Sequence, residues 1–171
     1  QDITALFDFD NEIALRVEIF YNKLKKRFEV DELVCIHVRR GEYLLPGYNT
    51  VHIASPAEYY TEAMNMFNNA GFVIISDDMS WCEANLSGDK VALCNSGYDF
   101  FTRAQTEEFF ELFDMYMAMR CDHNIISASS FSWWGAWLGK PGNKVVAPKQ
   151  WFGAGGFQDY HDVYCNGWIK L

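Results

Sequence analysis

The segment Leu33-Val34-Cys35-Ile36-His37-Val38-Arg39-Arg40-Gly41-Glu42-Tyr43 carries a structural and a chemical message at once. Its first six residues form a short, β-branched apolar run, as expected of a strand buried on both faces. The chain then becomes abruptly polar, with two adjacent arginines and a glycine. Upstream, Ile13, Val17, Phe20, Tyr21 and Leu24 recur at three- and four-residue steps, which predicts a helix capped by Asp10 or Asn11. Downstream, Ser55-Pro56-Ala57-Glu58 reads as a capping box opening a helix that ends near Gly71. A second buried strand follows at Phe72–Ser76, and Ser80-Trp81-Cys82-Glu83 opens a short helix. Further strands are expected at Lys90–Cys94, Asn124–Ser127 and Lys144–Ala147. A long helix starting at Thr102-Arg103-Ala104-Gln105 and a short one at Phe131–Leu138 lie between them. Strands apolar throughout and alternating with helices predict an α/β, Rossmann-like parallel sheet of about five strands covered on both faces. The Gly- and aromatic-rich tail from Trp151 reads as irregular.

With 171 residues, half of them apolar, the chain can bury one core of ordinary domain size. Aromatics at 17% and only 4 prolines exclude a disordered or linker-rich chain. Asp+Glu 23 against Lys+Arg 14 gives a net charge of −9, which disfavours non-specific binding to nucleic acid or to anionic membranes. An anionic ligand must therefore meet a local basic cluster. Cys35, Cys82, Cys94, Cys121 and Cys165 are scattered without zinc-ligand spacing and read as free thiols of a reduced, cytoplasmic protein. No segment reads as a membrane span or a leader. The Golgi lumen is the alternative compartment if an anchor lies upstream.

In open parallel sheets, ligands bind beyond the carboxyl ends of the strands. Three expected strands end in polar clusters there: His37 to Tyr43, Ser76-Asp77-Asp78, and Ser127-Ala128-Ser129-Ser130. Arg39 and Arg40 offer planar forks suited to phosphate or carboxylate, and alternation along the strand would send only one of them to a ligand. Ser129 and Ser130 read either as a helix cap or as a helix start whose free N–H groups and positive dipole end meet an anion. Asp77-Asp78 has three readings: a capping pair, a Mg²⁺ site, or acceptors for a sugar hydroxyl or an arginine. Asp114, in an aromatic and Met-rich helix, reads as a solvated carboxylate or as an acceptor from guanine N1–H and N2–H₂. His37 reads as a base or as an orienting group. Trp133-Trp134 reads as core or as an interdomain surface. No Walker A sequence and no Gly-x-Gly-x-x-Gly follows the first strand, so P-loop and nicotinamide readings lack support.

The run His37-Val38-Arg39-Arg40-Gly41-Glu42-Tyr43 resembles the His-Val-Arg-Arg-Gly-Asp-Tyr motif of the α-1,2-fucosyltransferases, glycosyltransferase family 11. Ser76-Asp77-Asp78 with Trp81, and the stretch from Ile125 to Ala136, resemble later motifs of that family. The resemblance implies the C-terminal lobe of a two-lobed GT-B-like enzyme that binds GDP-fucose and inverts the anomeric centre without metal or other cofactor. Residues 31–171 would form the GDP-sugar domain, and residues 1–30 the remnant or junction of a first lobe. A glycan, with galactose 2-OH as the attacking group, would be the acceptor. The resemblance assigns Arg39, with Arg40 as alternate, to the diphosphate, Asp114 to guanine, and Ser129, Ser130 and Phe131 to the phosphates through their amides. Ser76, Asp77, Asp78 and Ser132 complete the expected donor site. His37 and Glu42 are the candidate bases within this chain, a base from the first lobe being the alternative. Glu42 stands where the family usually has Asp, and no Gly-Gly-Leu-Gly-Asn-Gln-like segment precedes it.

Overall fold

The computed structural model describes residues 11–95 and 107–171. Six strands, β1 (Leu33–Val38), β2 (Gly71–Ser76), β3 (Val91–Leu93), β4 (His123–Ile125), β5 (Val145–Ala147) and β6 (Ile169–Lys170), pair in the order β3-β2-β1-β4-β5-β6. Every described pairing is parallel. The helices are α1 (Asn11–Phe28), α2 (Tyr48–Val51), α3 (Ala57–Met64), α4 (Met79–Asn85), α5 (Glu107–Arg120) and α6 (Ser130–Trp137). The chain builds outward from β1 in one direction to β3, then returns to add β4 on the opposite side. The reversal opens a crevice between the carboxyl ends of β1 and β4.

Two-residue alternation divides β1 between two cores. Leu33 and Cys35 join Val73 and Ile75 beneath α1 and α5, where Phe20, Phe113 and Met117 are buried. Val34, Ile36 and Val38 face the other way, towards Tyr60, Ala63 and Cys82 of α3 and α4. α1 is thus a layer of the same domain as the sheet. Glu18 pairs with Arg120 of α5, and the Tyr21 hydroxyl donates to Asp122 at 2.6 Å. Asp122 in turn accepts from the Leu33 amide at 2.9 Å, so helix and first strand share one carboxylate.

The expected elements form, with four revisions. α3 stops at Met64, well before Gly71. Gly71 instead opens β2, where a Cβ would lie 2.6 Å from Phe28 Cδ2 and 2.8 Å from Leu33 Cδ2, so the glycine serves close helix–strand packing. Pro56, not Ser55, occupies the N-cap of α3, and no side chain caps it. α4 begins two residues earlier than the Ser80 box implies, because the Asp78 carboxylate accepts from the Trp81 amide. A sixth strand, β6, emerges from the irregular tail and pairs with β5. The expected start of the long helix at Thr102 lies outside the described residues.

The loops after β1 and β5 are joined to each other. The Gly153 amide donates to Val51 O and the Gly155 amide to Thr50 O, both at 2.8 Å. An antiparallel bridge between His52 and Phe152 completes the strap.

Candidate functional site

The register of β1 on β2 sets Val38 beside Ser76, so the arginine pair leaves its strand next to the aspartate pair. The contacts are specific. Arg39 Nε lies 3.2 Å from Asp77 Oδ2, and its Nη2 donates to Glu42 Oε1 at 2.7 Å. The Arg40 amide donates to Asp77 Oδ1 at 2.9 Å, and Arg40 Nε to Asp78 Oδ2 at 3.2 Å. The Arg40 guanidinium also lies over Trp81, 4.1 Å from the ring centroid. Arg40 is thereby built into the wall, its side chain 16% exposed, whereas Arg39 remains 34% exposed. Partial burial alone would lower the Arg39 pKa, but the Glu42 hydrogen bond and the Asp77 charge outweigh it and raise the pKa above its ordinary value.

Gly41 permits this cluster: a Cβ there would fall 2.4 Å from Asp77 Oδ2. Asp77 and Asp78 each use both carboxylate oxygens, which favours the readings as arginine acceptors and, for Asp78, as a helix cap. Ser76 Oγ accepts from the Asp78 amide at 2.9 Å, bracing the turn. Among the described residues, no group of three His, Cys, Asp or Glu side chains is disposed to hold a metal.

Across the crevice, α6 opens at Ser130. Ser129 is its N-cap by backbone conformation, yet its side chain makes no capping bond. Ser132 Oγ lies 3.0 Å from the carbonyls of both Ser127 and Ser129 and is buried, so this hydroxyl braces the helix start. The first-turn amides have no intrahelical partner and share the positive end of the helix dipole. The Tyr43 hydroxyl donates to Ala128 O at 3.1 Å, and its ring stacks on His52 at 4.5 Å. Tyr43 therefore links the arginine loop to the loop before α6.

His37 is buried beneath this edge. Its Nδ1 lies 2.8 Å from Ser127 Oγ, and its ring stacks on Phe131 at 5.2 Å. Burial, with a smaller contribution from the Arg39 charge, pushes its pKa down to about 3. A neutral, enclosed imidazole with one nitrogen committed fits an orienting role better than that of a base. A group with a depressed pKa stays neutral in the folded state while the unfolded chain takes up a proton below ~6.5. Stability is thus lost as pH falls from about 6.5 towards 3. Urea unfolding at pH 7 and pH 4.5 should show wild type losing about 2–3 kcal/mol more than His37→Gln. Equal losses would mean that the imidazole is not held neutral.

Asp114 is half-buried on α5. Its carboxylate shares a hydrogen bond with the Cys94 thiol, whose pKa is raised first by burial and then by the Asp114 charge. Asp114 thus sits beside the Cys94 thiol, with Cys35 of β1 also within reach of its charge. The structure brings together Arg39, Arg40, Glu42, Asp77 and Asp78, and sets Ser129, Ser130 and Phe131 beyond β4; Asp114 lies apart from them, on α5 beside Cys94 and Cys35.

The sequence reading missed two parts of this edge. Tyr43, His52 and Ser127 knit the loops together through contacts that have no local pattern. The irregular tail forms one wall of a groove of about 480 Å³ with Ser130, Trp133 and Trp134. Its Gly and aromatic content was the only signal.

Strand order, switch point and the braced arginine edge define a Rossmann-like α/β domain of the kind found in glycosyltransferases. The chain belongs to Glycosyl transferase family 11, whose family model matches residues 1–171. It is 28% identical over 142 residues to the O-antigen biosynthesis glycosyltransferase WbnK of Escherichia coli, covering 80% of this chain and 43% of that protein. It is 31% identical over 129 residues to an alpha-1,2-colitosyltransferase of Escherichia coli, covering 70% of this chain and 41% of that one. Against galactoside alpha-(1,2)-fucosyltransferase 1 of Leontocebus fuscicollis the identity is 28% over 110 residues, 61% of this chain and 28% of the relative. The chain thus spans less than half the length of these relatives. Among the described residues, no helix is long and apolar enough to cross a membrane.

Proposed function

We propose that this domain binds GDP-fucose and serves an inverting transfer of fucose to a sugar hydroxyl, galactose 2-OH being the favoured acceptor group. The observation that carries the reading is the partly exposed Arg39, aimed by Asp77 and Glu42 beside the uncapped start of α6. Breaking the fucose–phosphate bond builds negative charge on GDP. A fork already oriented by two carboxylates, with amides opposite, stabilises that charge without reorganising. Arg39 and the amides of Ser130 and Phe131 are the diphosphate ligands in this mechanism, and Asp114 is the guanine acceptor. No metal has a role. The acceptor proton passes to Glu42 or to a carboxylate of the first lobe, and His37 remains a neutral brace between β1 and β4. A cytoplasmic setting fits the free, buried thiols of Cys35, Cys82, Cys94 and Cys121.

Two of the relatives' names, a colitosyltransferase and a fucosyltransferase, support a transferred deoxysugar, and the relatives' greater length supports a first lobe completing the acceptor side. The chain alone is then expected to bind donor with little turnover. Competition calorimetry tests the donor. GDP-fucose should displace GDP, while UDP-galactose should not at tenfold higher concentration. Equal displacement by both would overturn the guanine reading, and tighter binding of GDP-mannose than of GDP-fucose would point to another GDP-sugar.

A further inference from the structure

The aromatic groove shares Ser130 with the α6 start but contains neither arginine. Its rings are held firmly. Trp133 Nε1 donates to Val163 O at 2.6 Å, and Trp133 stacks nearly parallel on Trp137, 6.0 Å between centroids. Phe152 meets Phe157 and Tyr160 edge-on at 5.7 and 5.8 Å. Against this fixed frame, Trp134 is 37% and Phe157 77% exposed, so two aromatic faces are open to a ligand. The polar lining includes two exposed carboxylates, Asp159 and Asp162, and no lysine or arginine.

That chemistry selects its occupant. Carboxylates without a nearby cation repel phosphate, so the groove does not extend the diphosphate site. Aromatic faces favour a flat apolar surface, and carboxylates accept hydroxyl hydrogens; one molecule that offers both is a neutral pyranose. The volume falls within the ~300–1,000 Å³ of small-molecule sites. Position agrees. Arg39 follows β1 and Ser130 follows β4, its neighbour in the sheet, and Ser130 itself lines the groove, which therefore adjoins the diphosphate end of the proposed donor site. A ligand with its diphosphate at Arg39 and Ser130 has its sugar end within reach of the groove.

Resting on the donor reading above, we infer that the groove of Trp134, Phe152, Phe157 and Tyr160, with Asp159 and Asp162, is a neutral-pyranose subsite at the transfer end of the nucleotide. Both the transferred fucose and the acceptor galactoside have the required chemistry.

Saturation-transfer NMR on the whole chain, with methyl β-galactoside and methyl α-L-fucoside as probes and GDP titrated separately, tests this. The expected result is ring-proton saturation of at least one glycoside, with affinity reduced about fivefold in Phe157→Ala and in Asp162→Asn. GDP affinity should stay within about twofold in both variants. Saturation by the galactoside alone marks an acceptor subsite, and by the fucoside alone a donor-sugar subsite. No saturation by either glycoside, with GDP still bound, overturns the subsite and leaves the donor reading standing. Loss of GDP binding in Asp162→Asn would place the nucleotide in the groove and also overturns it. Sedimentation showing a dimer that Phe157→Ser dissociates would assign the face to a second copy instead. Failure of wild type to bind GDP strikes the donor reading itself.

Discussion

Arg39→Ala is expected to weaken GDP binding by about two orders of magnitude, on the order of 3 kcal/mol, with little change in stability. The size follows from what the side chain is and how it is held. Its fork makes charge-assisted hydrogen bonds, which are roughly twice as strong as neutral ones. Asp77 and Glu42 fix two of its nitrogens in advance, so little side-chain entropy remains to be lost on binding. Its partly exposed side chain contributes little packing. Arg39→Lys should recover only part of the affinity, because an ammonium cannot span the two carboxylates and a diphosphate together. Arg40→Ala is the contrasting variant. That guanidinium lies on Trp81 and pairs with the carboxylate that caps α4. Its loss should lower the unfolding midpoint more than the affinity. Isothermal calorimetry with GDP checks the three affinities, and thermal denaturation the Arg40→Ala midpoint. Unchanged affinity in Arg39→Ala would remove the central residue of the proposed site.

Phe113→Ala should cost about 3–5 kcal/mol of folding stability, read from urea denaturation. Phe113 is fully buried at the junction of α5 with α1, its ring 5.9 Å from Phe20 and in the same cluster as Leu33 and Cys35. Truncation leaves a cavity between two helices that are also tied by Arg120 and Glu18, so the surroundings can collapse only partly. Phe113→Leu should cost about 1 kcal/mol by comparison. The residue next along α5 is Asp114, so a nucleotide held there should recover part of the Phe113→Ala loss on addition of GDP. A loss below about 1 kcal/mol would mean that α5 is not locked to α1 in this way.

How much could be read without coordinates depended on whether the deciding contacts were local. β1 and β2 were legible because six-residue, β-branched runs suit a strand buried on both faces. The ligand edge followed, since consecutive strands of one parallel sheet must end on the same side. Gly71 was misread because glycine has two uses. It can end a helix, or admit a phenyl ring against a strand, and only Phe28 reveals which applies. Ser80 competed with Asp78 for the same cap, and Arg40 settled it by pairing with the aspartate from 38 residues away. His37 could not be judged a base or a brace until Ser127 and Phe131 were seen to enclose it. The tail had no periodicity because its aromatic side chains pack on α6 and on the loop after β1, not on a face of their own element.

The strap between Thr50–Val51 and Gly153–Gly155 bears on when the site comes into being. Its partners lie about a hundred residues apart along the chain, so the loop-closure entropy falls due only once the intervening strands have docked. The arginines meet the aspartates across only 38 residues, whereas the core under α1 and the outer wall of the ligand edge both depend on contacts about a hundred residues apart. A nascent or partly unfolded chain can therefore hold its arginines beside its aspartates and still lack a place for the sugar.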